Sequence, residues 1–325
     1  MNTKTDAAEI WVLADDRAGN VSQCLGVAEA LGLPYVVKTI RYDSLARLPN
    51  VLRGAGLLGV TAESRAGLGA PWPKLVIAAG RRTAPIARWI KRQCGAKLVQ
   101  IMDPGFPGRD DFDLIVSPSH DCPKPSANVL EVLGAPHRVT EARLAAEAET
   151  WRPAFAALPR PFVAVIVGGA TKNRPFSAEM ARDLGASAAS LGKAAGGSLL
   201  LTTSRRTGAE QERVLAECLP EPRWLHLFSQ GGDNPYFGFL ALADAIIVTG
   251  DSVSMCCEAC ASPAPVCIWS PEGWVAAKHA RLHAQLYRAG LARPLDGVTS
   301  LAGWERPRLN AALDVARAIR ERLLS

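Results

Sequence analysis

Two stretches in the second half of the chain combine glycines, hydroxyls and charged side chains in a pattern that suits an anionic ligand. Residues 168–173 read GGATKN, so two glycines let a ligand approach backbone amides beside Lys172. Residues 203–207 read TSRRT, and the planar fork of Arg205 matches the oxygens of a diphosphate. A plain tight turn and ordinary surface arginines stay open as alternatives. The diphosphate hypothesis assigns contacts to Gly168, Gly169, Lys172, Thr203, Ser204 and Arg205.

A third stretch, residues 243–259, reads ADAIIVTGDSVSMCCEA and joins a strand to a helix. Small polar residues at 249–252 can cap that helix, whose first amides and dipole then attract an anion near Ser252 and Ser254. Glu258 follows Ser254 by four residues, about one helical turn deeper. A carboxylate there can accept hydrogen bonds from two vicinal hydroxyls, as on a ribose. The alternative is a capped helix with a solvated glutamate.

Two groups of residues have spacings similar to those of metal ligands. His279 and His283 lie four residues apart, but the glutamate of an HExxH motif is absent and the flanking Lys278 and Arg281 repel a cation. Residues 256–260, CCEAC, have CxxC spacing without the second pair that a zinc site needs. We therefore expect buried thiols, a surface or cleft-lining histidine pair, and neither a metal nor a bound cofactor.

Short apolar runs alternate with amphipathic stretches along the whole chain, which predicts parallel strands joined by helices. A charged, alanine-rich segment at 138–160 ends in prolines and indicates a domain boundary. We predict two Rossmann-like α/β domains facing across a cleft, with residues 1–155 and 156–305, and a helix within 306–325 packing back on the first. The predicted strands are Ile10–Ala14, Tyr35–Ile40, Leu75–Ala79, Leu98–Met102, Leu114–Ser117, Val129–Leu133, Phe162–Val167, Ser198–Thr203, Trp224–Phe228, Ala245–Val248 and Val266–Trp269.

The chain length suggests about two domains, and the composition is that of a globular protein. The 325 residues are 48% apolar and 21% charged, which argues against a disordered chain. No apolar run is long enough to cross a bilayer, and the N-terminal residues do not resemble a secretory signal. The net charge of +6 is spread without a basic run and aromatic residues make up 6%, so we expect no nucleic-acid partner. Eight scattered cysteines favour a reducing, cytoplasmic setting.

The second half, with GGATK, TTSRRT and TGDSVSMCCEA each at a strand end, resembles the nucleotide-sugar domain of glycosyltransferases with the two-Rossmann GT-B fold. It is similar to the peptidoglycan N-acetylglucosaminyltransferase and its relatives. The whole chain resembles bacterial members of the mitochondrial-fission ELM family more closely. That resemblance includes residues 15–20 (DDRAGN) with Gln23, 79–83 (AGRRT) and 100–104 (QIMDP). Asn20 stands where many GT-B enzymes carry a histidine beside a glycine.

The resemblance implies a donor site in the second domain, with the diphosphate on Gly168, Gly169, Arg205 and the 252–254 turn, and the ribose on Glu258. It also implies an acceptor site in the first domain and catalysis without a metal. A base must reach the acceptor hydroxyl, and Asp16 and His120 are the candidates; alternatively, Asp16 ends a strand and His120 orders a turn. The other acceptor-side residues are Arg17, Gly19, Asn20, Gln23, Gly80, Arg81 and Arg82.

Three functional hypotheses follow. The first is a glycosyltransferase that uses a nucleotide-diphosphate sugar on an envelope or lipid-linked acceptor. The second is a non-catalytic nucleotide-binding or scaffold protein at a membrane surface, as the organelle-fission relatives suggest. A nicotinamide-dependent oxidoreductase is disfavoured because the GxGxxG fingerprint is missing. The apolar, glycine-rich segment from Leu52 to Trp72 is either a buried loop or a peripheral contact with the inner face of a membrane.

Overall fold

The computed structural model describes residues 9–300 and 305–324, which form two compact units. Unit 1 comprises the chain up to Arg138 together with the segment from Asn310, and unit 2 is Val139–Leu309. Residues 1–8, on which the expectation about a secretory signal partly rests, lie outside the described ranges. Among the described residues, no helix is both long and apolar enough to span a membrane.

Twelve strands and eleven helices alternate along the described chain. The strands are β1 (Ile10–Ala14), β2 (Tyr35–Thr39), β3 (Leu75–Ala79), β4 (Lys97–Ile101), β5 (Leu114–Pro118), β6 (Val129–Val132), β7 (Phe162–Ile166), β8 (Ser198–Thr202), β9 (Arg223–His226), β10 (Ala245–Thr249), β11 (Val266–Trp269) and β12 (Arg293–Pro294). The helices are α1 (Ala18–Leu31), α2 (Asn50–Arg53), α3 (Ala62–Ala66), α4 (Ala84–Cys94), α5 (Glu141–Trp151), α6 (Ala178–Ala195), α7 (Ala209–Cys218), α8 (Tyr236–Leu242), α9 (Val253–Ala261), α10 (Ala277–Arg288) and α11 (Ala311–Leu323).

Each unit is built on one six-stranded sheet, and every strand pair in both sheets is parallel. The order is β2-β1-β3-β4-β5-β6 in unit 1 and β12-β11-β10-β7-β8-β9 in unit 2. The central strands are buried on both faces, as their near-continuous apolar sequences predict. This confirms the prediction of two Rossmann-like α/β units.

Alternate residues of the central strands enter different cores. In unit 1, Val12 and Ile77 pack with α1 and α11 on one face, whereas Trp11 and Val76 pack with α4 on the other. In unit 2, one core joins β7, β8 and β10 to α6 and α7. Because α11 supplies Val315 and Ile319 to the core of unit 1, the last helix stabilises the first sheet.

One domain boundary and one short segment differ from what the sequence pattern predicts. The helix α5 lies in unit 2, not before the boundary at 155, because Trp151 packs closely against Gly238 of α8. Residues 44–53 have apolar residues at helical spacing, but they form a 3₁₀ turn, Ser44–Arg47, followed by the short α2. Leu48 precedes Pro49 and is extended, with φ −58° and ψ 149°, because proline disfavours the helical conformation in the residue before it.

Candidate functional site

The strand order of unit 2 brings three of the candidate loops side by side. β7 is flanked by β10 and β8, so the segments 167–173, 202–207 and 249–254 all leave the carboxyl edge of the sheet next to one another. The chain connectivity reverses direction between β7 and β10, and such switch points are where open parallel sheets bind ligands. The candidate donor residues therefore share one edge of one sheet.

A buried hydrogen-bond chain crosses this switch point. The Gly168 amide donates to Thr249 Oγ1 at 2.8 Å, and the Thr249 hydroxyl donates to Asp251 Oδ1 at 2.7 Å. Asp251 is 4% exposed, and its second oxygen accepts a 2.5 Å hydrogen bond from Arg206 Nη1. This ion pair ties the loop after β8 to the loop after β10.

The glycines after β7 make this close packing sterically feasible. A Cβ atom on Gly168 would collide with the Asp251 carboxylate, and one on Gly169 would collide with the Arg206 carbonyl. Gly169 also has φ +123°, which side-chain-bearing residues rarely adopt. Both glycines are therefore required for the three loops to meet, in addition to any contact with a ligand.

The hydroxyls of the 203–207 segment hold the same loops. Ser204 Oγ and Thr207 Oγ1 both donate to the Gly168 carbonyl, the latter at 2.9 Å. The Thr203 hydroxyl is buried, donates to Glu212 Oε1 at 2.6 Å and accepts from the Phe228 amide at 2.8 Å. Thr203 therefore orders the loop internally, whereas Arg205 beside it is exposed.

Glu258 lies on α9 and is 8% exposed. The Tyr236 hydroxyl donates to Glu258 Oε2 at 2.5 Å. Burial raises the pKa of Glu258, although the tyrosine hydrogen bond opposes this, and burial also raises the pKa of Tyr236. At the start of α9, Ser252 Oγ accepts a 3.4 Å hydrogen bond from the Met255 amide. Ser254 follows in the first turn and is half-buried.

At this edge His283 is buried and does not lie on the surface, and three cysteines are buried beside it. His283 Nε2 lies 3.0 Å from the Gly250 carbonyl, and the ring occupies the space that a Cβ on Gly250 would need. Cys256, Cys257 and Cys260 are buried free thiols on α9, and burial raises the pKa of Cys260 to about 12. In the part of the chain that the structure describes, no cluster of three metal-ligating side chains occurs.

In unit 1 the switch point lies between β1 and β3, and the loops 15–20 and 80–83 meet there. Asp15 Oδ2 accepts a 3.0 Å hydrogen bond from Asn20 Nδ2. Gly80 has φ +76°, and a Cβ on it would lie 2.9 Å from Asn20 Nδ2. Asn20 therefore occupies the junction of the two loops and orients Asp15.

The arginines after β3 differ in their partners. Arg82 pairs with the exposed Asp16 and lies 3.8 Å from Asp15 Oδ2. Arg81 Nη1 instead donates to the Leu48 carbonyl at 3.0 Å. A depression of about 580 Å³ opens here. It is lined by Asp16, Arg17, Tyr42, Asp43, Ser44, Ala46, Arg47, Arg81 and Arg82.

The structure separates the two candidate bases. His120 follows β5, which is three strands from β1, so the two strand ends are about 14 Å apart at ordinary strand spacing. The side chain of His120 is also buried, whereas that of Asp16 is 61% exposed.

Gln23 is buried on α1, and Arg17 and Gly19 are exposed at its start. In unit 2, Lys172 is exposed in the 171–174 turn.

The sequence did not predict the contacts of three residues that organise the unit 2 loops. Arg206, not its neighbour Arg205, makes the ion pair with Asp251. Tyr236 is far from Glu258 in sequence, and nothing in the local pattern joins them. Asp251 offered a usable signal, because a carboxylate between a strand-ending threonine and a helix-capping serine suits a cation from a neighbouring loop.

Comparison with solved structures assigns the fold. The UDP-GlcNAc 2-epimerase of Methanocaldococcus jannaschii aligns over 96% of this chain and 99% of its own, with a TM-score of 0.52 and 12% identity. The complex of that enzyme with UDP-GlcNAc and UDP gives a TM-score of 0.51 at 11% identity, covering 96% and 99%. MurG of Acinetobacter baumannii gives 0.50 at 12% identity, covering 98% and 91%. The fold is therefore that of GT-B glycosyltransferases and epimerases.

Sequence comparison assigns the family. The profile described as Mitochondrial fission ELM1 matches residues 18–323. The Mitochondrial fission protein ELM1 of Arabidopsis thaliana is 32% identical over 278 residues, covering 77% of this chain but only 64% of the plant protein. The Rickettsia prowazekii (strain Madrid E) protein described as Uncharacterized protein RP120 is 30% identical over 347 residues, covering 96% and 97%. The chain belongs to the mitochondrial fission ELM1 family.

Proposed function

We propose that unit 2 binds a nucleotide-diphosphate sugar and that the chain is a GT-B-like glycosyltransferase acting without a metal on an envelope or lipid-linked acceptor. One observation carries this proposal. Three strand-end loops are locked together at the switch point of a parallel sheet by the Asp251–Arg206 pair, beside the start of α9. Such a rigid edge is suited to a charged ligand because its donors need little reorganisation on binding.

The diphosphate would lie over the start of α9. Amides of the first turn lack partners within the helix and carry the positive end of its dipole, which favours an anion. Arg205 is exposed beside these loops, so its guanidinium is accessible to phosphate oxygens. Charge that develops on the leaving diphosphate would be stabilised by both groups, and this stabilisation would lower the reaction barrier without a metal.

The ribose would lie against Glu258. A carboxylate offers about four acceptor positions, and Tyr236 uses one of them. Because the carboxylate is buried, hydrogen bonds from vicinal hydroxyls would replace interactions that burial removes. Tyr236 would then act as a positioning residue that fixes the rotamer of Glu258.

On the acceptor side, Asp16 is the base that we favour, because it is exposed whereas His120 is buried. Arg82 would hold the carboxylate in place, and Arg17, Gly19, Asn20, Gly80 and Arg81 would surround it. The support from relatives is limited to the fold: the M. jannaschii enzyme of the same fold is seen with UDP-GlcNAc and UDP.

Titration calorimetry with nucleoside diphosphates tests the donor site. We expect UDP or another nucleoside diphosphate to bind, and we expect Glu258→Gln and Arg205→Met each to weaken binding by about tenfold. Arg213→Met is the matched control, because Arg213 is an exposed arginine of the same unit that pairs with Glu217 on α7. Equal affinity in all variants, or no binding at millimolar nucleotide, would contradict the proposal.

A second candidate function is a non-catalytic, nucleotide-binding scaffold at a membrane surface. The segment 42–60 closes on itself through the Tyr42–Val60 bridge and exposes four apolar side chains, namely Leu45, Val51, Leu52 and Leu58. Basic residues of the same unit flank them, which is the combination that anionic lipid surfaces bind. Nucleotide binding without sugar transfer, together with flotation on anionic vesicles that Leu52→Ser abolishes, would favour this function over the transferase.

A further inference from the structure

Three side chains of unit 1 form a cluster that neither the fold nor the donor site explains. Tyr42, Arg53 and Arg82 make up this cluster, which we call the Tyr42 cluster. The guanidinium carbon of Arg82 lies 4.8 Å from the centre of the Tyr42 ring, and that of Arg53 lies 6.0 Å from it. The phenol ring therefore lies within cation–π range of two arginines.

The Tyr42 cluster contains four buried polar atoms without a hydrogen-bond partner among the described residues: Arg53 Nη1 and Nη2, Arg82 Nε and Tyr42 Oη. Arg53 is 3% exposed, and its Nε is satisfied by the Leu58 carbonyl at 3.1 Å. Buried polar groups are nearly always hydrogen-bonded, and a buried charge without a partner is especially unfavourable. Four such atoms in three neighbouring side chains point to a ligand.

The charge of the Tyr42 cluster specifies the chemistry of that ligand. Arg82 is paired with Asp16, whereas Arg53 forms no ion pair within the part of the chain described. The neighbouring Arg81 bonds to the Leu48 carbonyl and the Asn50 amide oxygen. Burial lowers the pKa of Arg53, and Arg81 and Arg82 lower it further. The three arginine nitrogens can only donate, so the complementary group must accept hydrogen bonds, and the positive charge of the arginines favours an anion.

We propose that Tyr42, Arg53 and Arg82 bind a phosphoryl group, presented either by a soluble phosphate or by a phosphorylated lipid. A phosphoryl group supplies several acceptor oxygens and up to two negative charges, which matches two guanidinium groups and a phenol better than one water molecule does. The depression described above borders two of the three side chains, Tyr42 and Arg82, and a phosphoryl group would approach the cluster from it. This site shares Arg82 with the proposed acceptor side of unit 1 and is distinct from the donor site, which lies in unit 2.

Thermal unfolding with and without inorganic phosphate tests the assignment. We expect phosphate to raise Tm of the parent protein, because a ligand that binds only the folded state stabilises it. Arg53→Met removes a buried, uncompensated cation, so it should raise Tm in phosphate-free buffer and abolish the rise with phosphate. Tyr42→Phe should weaken phosphate binding several-fold without lowering Tm in phosphate-free buffer, because it deletes an unsatisfied hydroxyl.

Two control variants test whether the effect of phosphate on Tm arises at the Tyr42 cluster. Arg65→Met removes an exposed arginine of the same unit whose Nε also donates to a carbonyl five residues away, that of Val60. It should leave the effect of phosphate unchanged. Arg206→Met alters the donor loops of unit 2 and should also leave it unchanged, so this result does not depend on the proposed donor site. Loss of the phosphate effect in Arg206→Met but not in Arg53→Met would overturn the assignment.

Flotation with vesicles distinguishes the two possible sources of the phosphoryl group, a soluble phosphate and a phosphorylated lipid. If the ligand is a phosphorylated lipid, the parent protein will float with vesicles containing phosphatidic acid but not with pure phosphatidylcholine, and Arg53→Met will not float. If the ligand is soluble, phosphate will raise Tm and neither vesicle will recruit the protein. An Arg53→Met variant that is less stable than the parent by the same amount with and without phosphate would show that Arg53 has only a structural role.

Discussion

At the scale of single residues, Glu258 has the environment that a binding carboxylate needs and a structural one does not. It is buried on α9, has a tyrosine hydroxyl as a neutral partner, and has a raised pKa. A structural carboxylate of unit 1, that of Asp113, behaves differently. The pKa of Asp113 is lowered despite its burial, because Lys91, the Leu98 amide and Lys97 stabilise its charge. The contrast supports a role for Glu258 in ligand binding.

The raised pKa of Glu258 gives a pH-dependent prediction. An acid whose pKa is higher in the folded state loses stability as pH rises above its unfolded value, about 4.3, towards its folded value. Glu258→Gln lacks this loss, so relative to the parent it should gain free energy of unfolding between pH 4 and pH 7. Urea denaturation at the two pH values measures the difference.

The control for this experiment is Glu217→Gln, which changes an exposed glutamate on α7 and should give no pH-dependent gain. A Glu258→Gln protein whose stability relative to the parent is the same or lower at pH 7 than at pH 4 would contradict the prediction. Nucleotide affinity of the same variant separates the stability effect from the binding effect.

The contacts of single residues were hard to predict from the sequence, because they depend on where each side chain points in a loop. The TSRRT pattern predicts an arginine at the strand edge, but only the structure shows that Arg206 turns to Asp251 while Arg205 is exposed. Adjacent side chains in a loop point in different directions, and a loop has no repeating sequence pattern from which those directions could be predicted. Likewise, Tyr42 and Arg53 are eleven residues apart in an irregular segment, so their proximity could not be anticipated.

At the scale of elements, the strands were predictable and the irregular segments were not. Each buried strand is a run of Val, Ile and Leu bounded by turn residues, a signal that tertiary contacts reinforce. The edge strand β12 is two residues long and carries no such signal. The 44–53 segment has helical spacing of apolar residues, but Pro49 interrupts it and divides it into two short turns.

Gly168→Ala tests whether the loop after β7 depends on close packing. The new methyl group would collide with the Asp251 carboxylate, so the Asp251–Arg206 pair should be displaced. We expect a loss of about 1–3 kcal/mol in the free energy of unfolding and a large loss of nucleotide affinity. Chemical denaturation and calorimetry measure the two effects.

Gly69→Ala is the matched control, because nothing lies within 4 Å of a Cβ at that position. It should change neither stability nor nucleotide affinity appreciably. If Gly168→Ala resembled Gly69→Ala in both measurements, the loops would not be coupled as the structure indicates.

At the scale of the whole molecule, the chain returns to its first unit at its end. The helix α11 packs against α1, and its residues Val315 and Ile319 are fully buried in the unit 1 core. Chain length indicated two domains, and a helix within residues 306–325 was expected to pack on the first, but the assignment of α5 was not predictable, because an amphipathic helix can pack on either sheet. Unit membership is decided by specific contacts such as that of Trp151 with Gly238.

Ile319→Ala tests the separate roles of the two units. The cavity left in the core of unit 1 should cost about 2–5 kcal/mol in the free energy of unfolding. The exposed Leu313 of the same helix provides the control, because Leu313→Ala should cost far less. Below the unfolding temperature, both variants should bind nucleotide as the parent does. Lost nucleotide affinity in folded Ile319→Ala would contradict the assignment of the donor site to unit 2.

The most direct test of the donor site is hydrogen–deuterium exchange with and without a saturating nucleoside diphosphate. We predict slower exchange in peptides covering 167–173, 202–207 and 249–258, the three loops that meet at the switch point of unit 2. Peptides from strand β2 of unit 1 should exchange at the same rate in both states. Protection confined to unit 1, or none at saturating nucleotide, would contradict a donor site in unit 2.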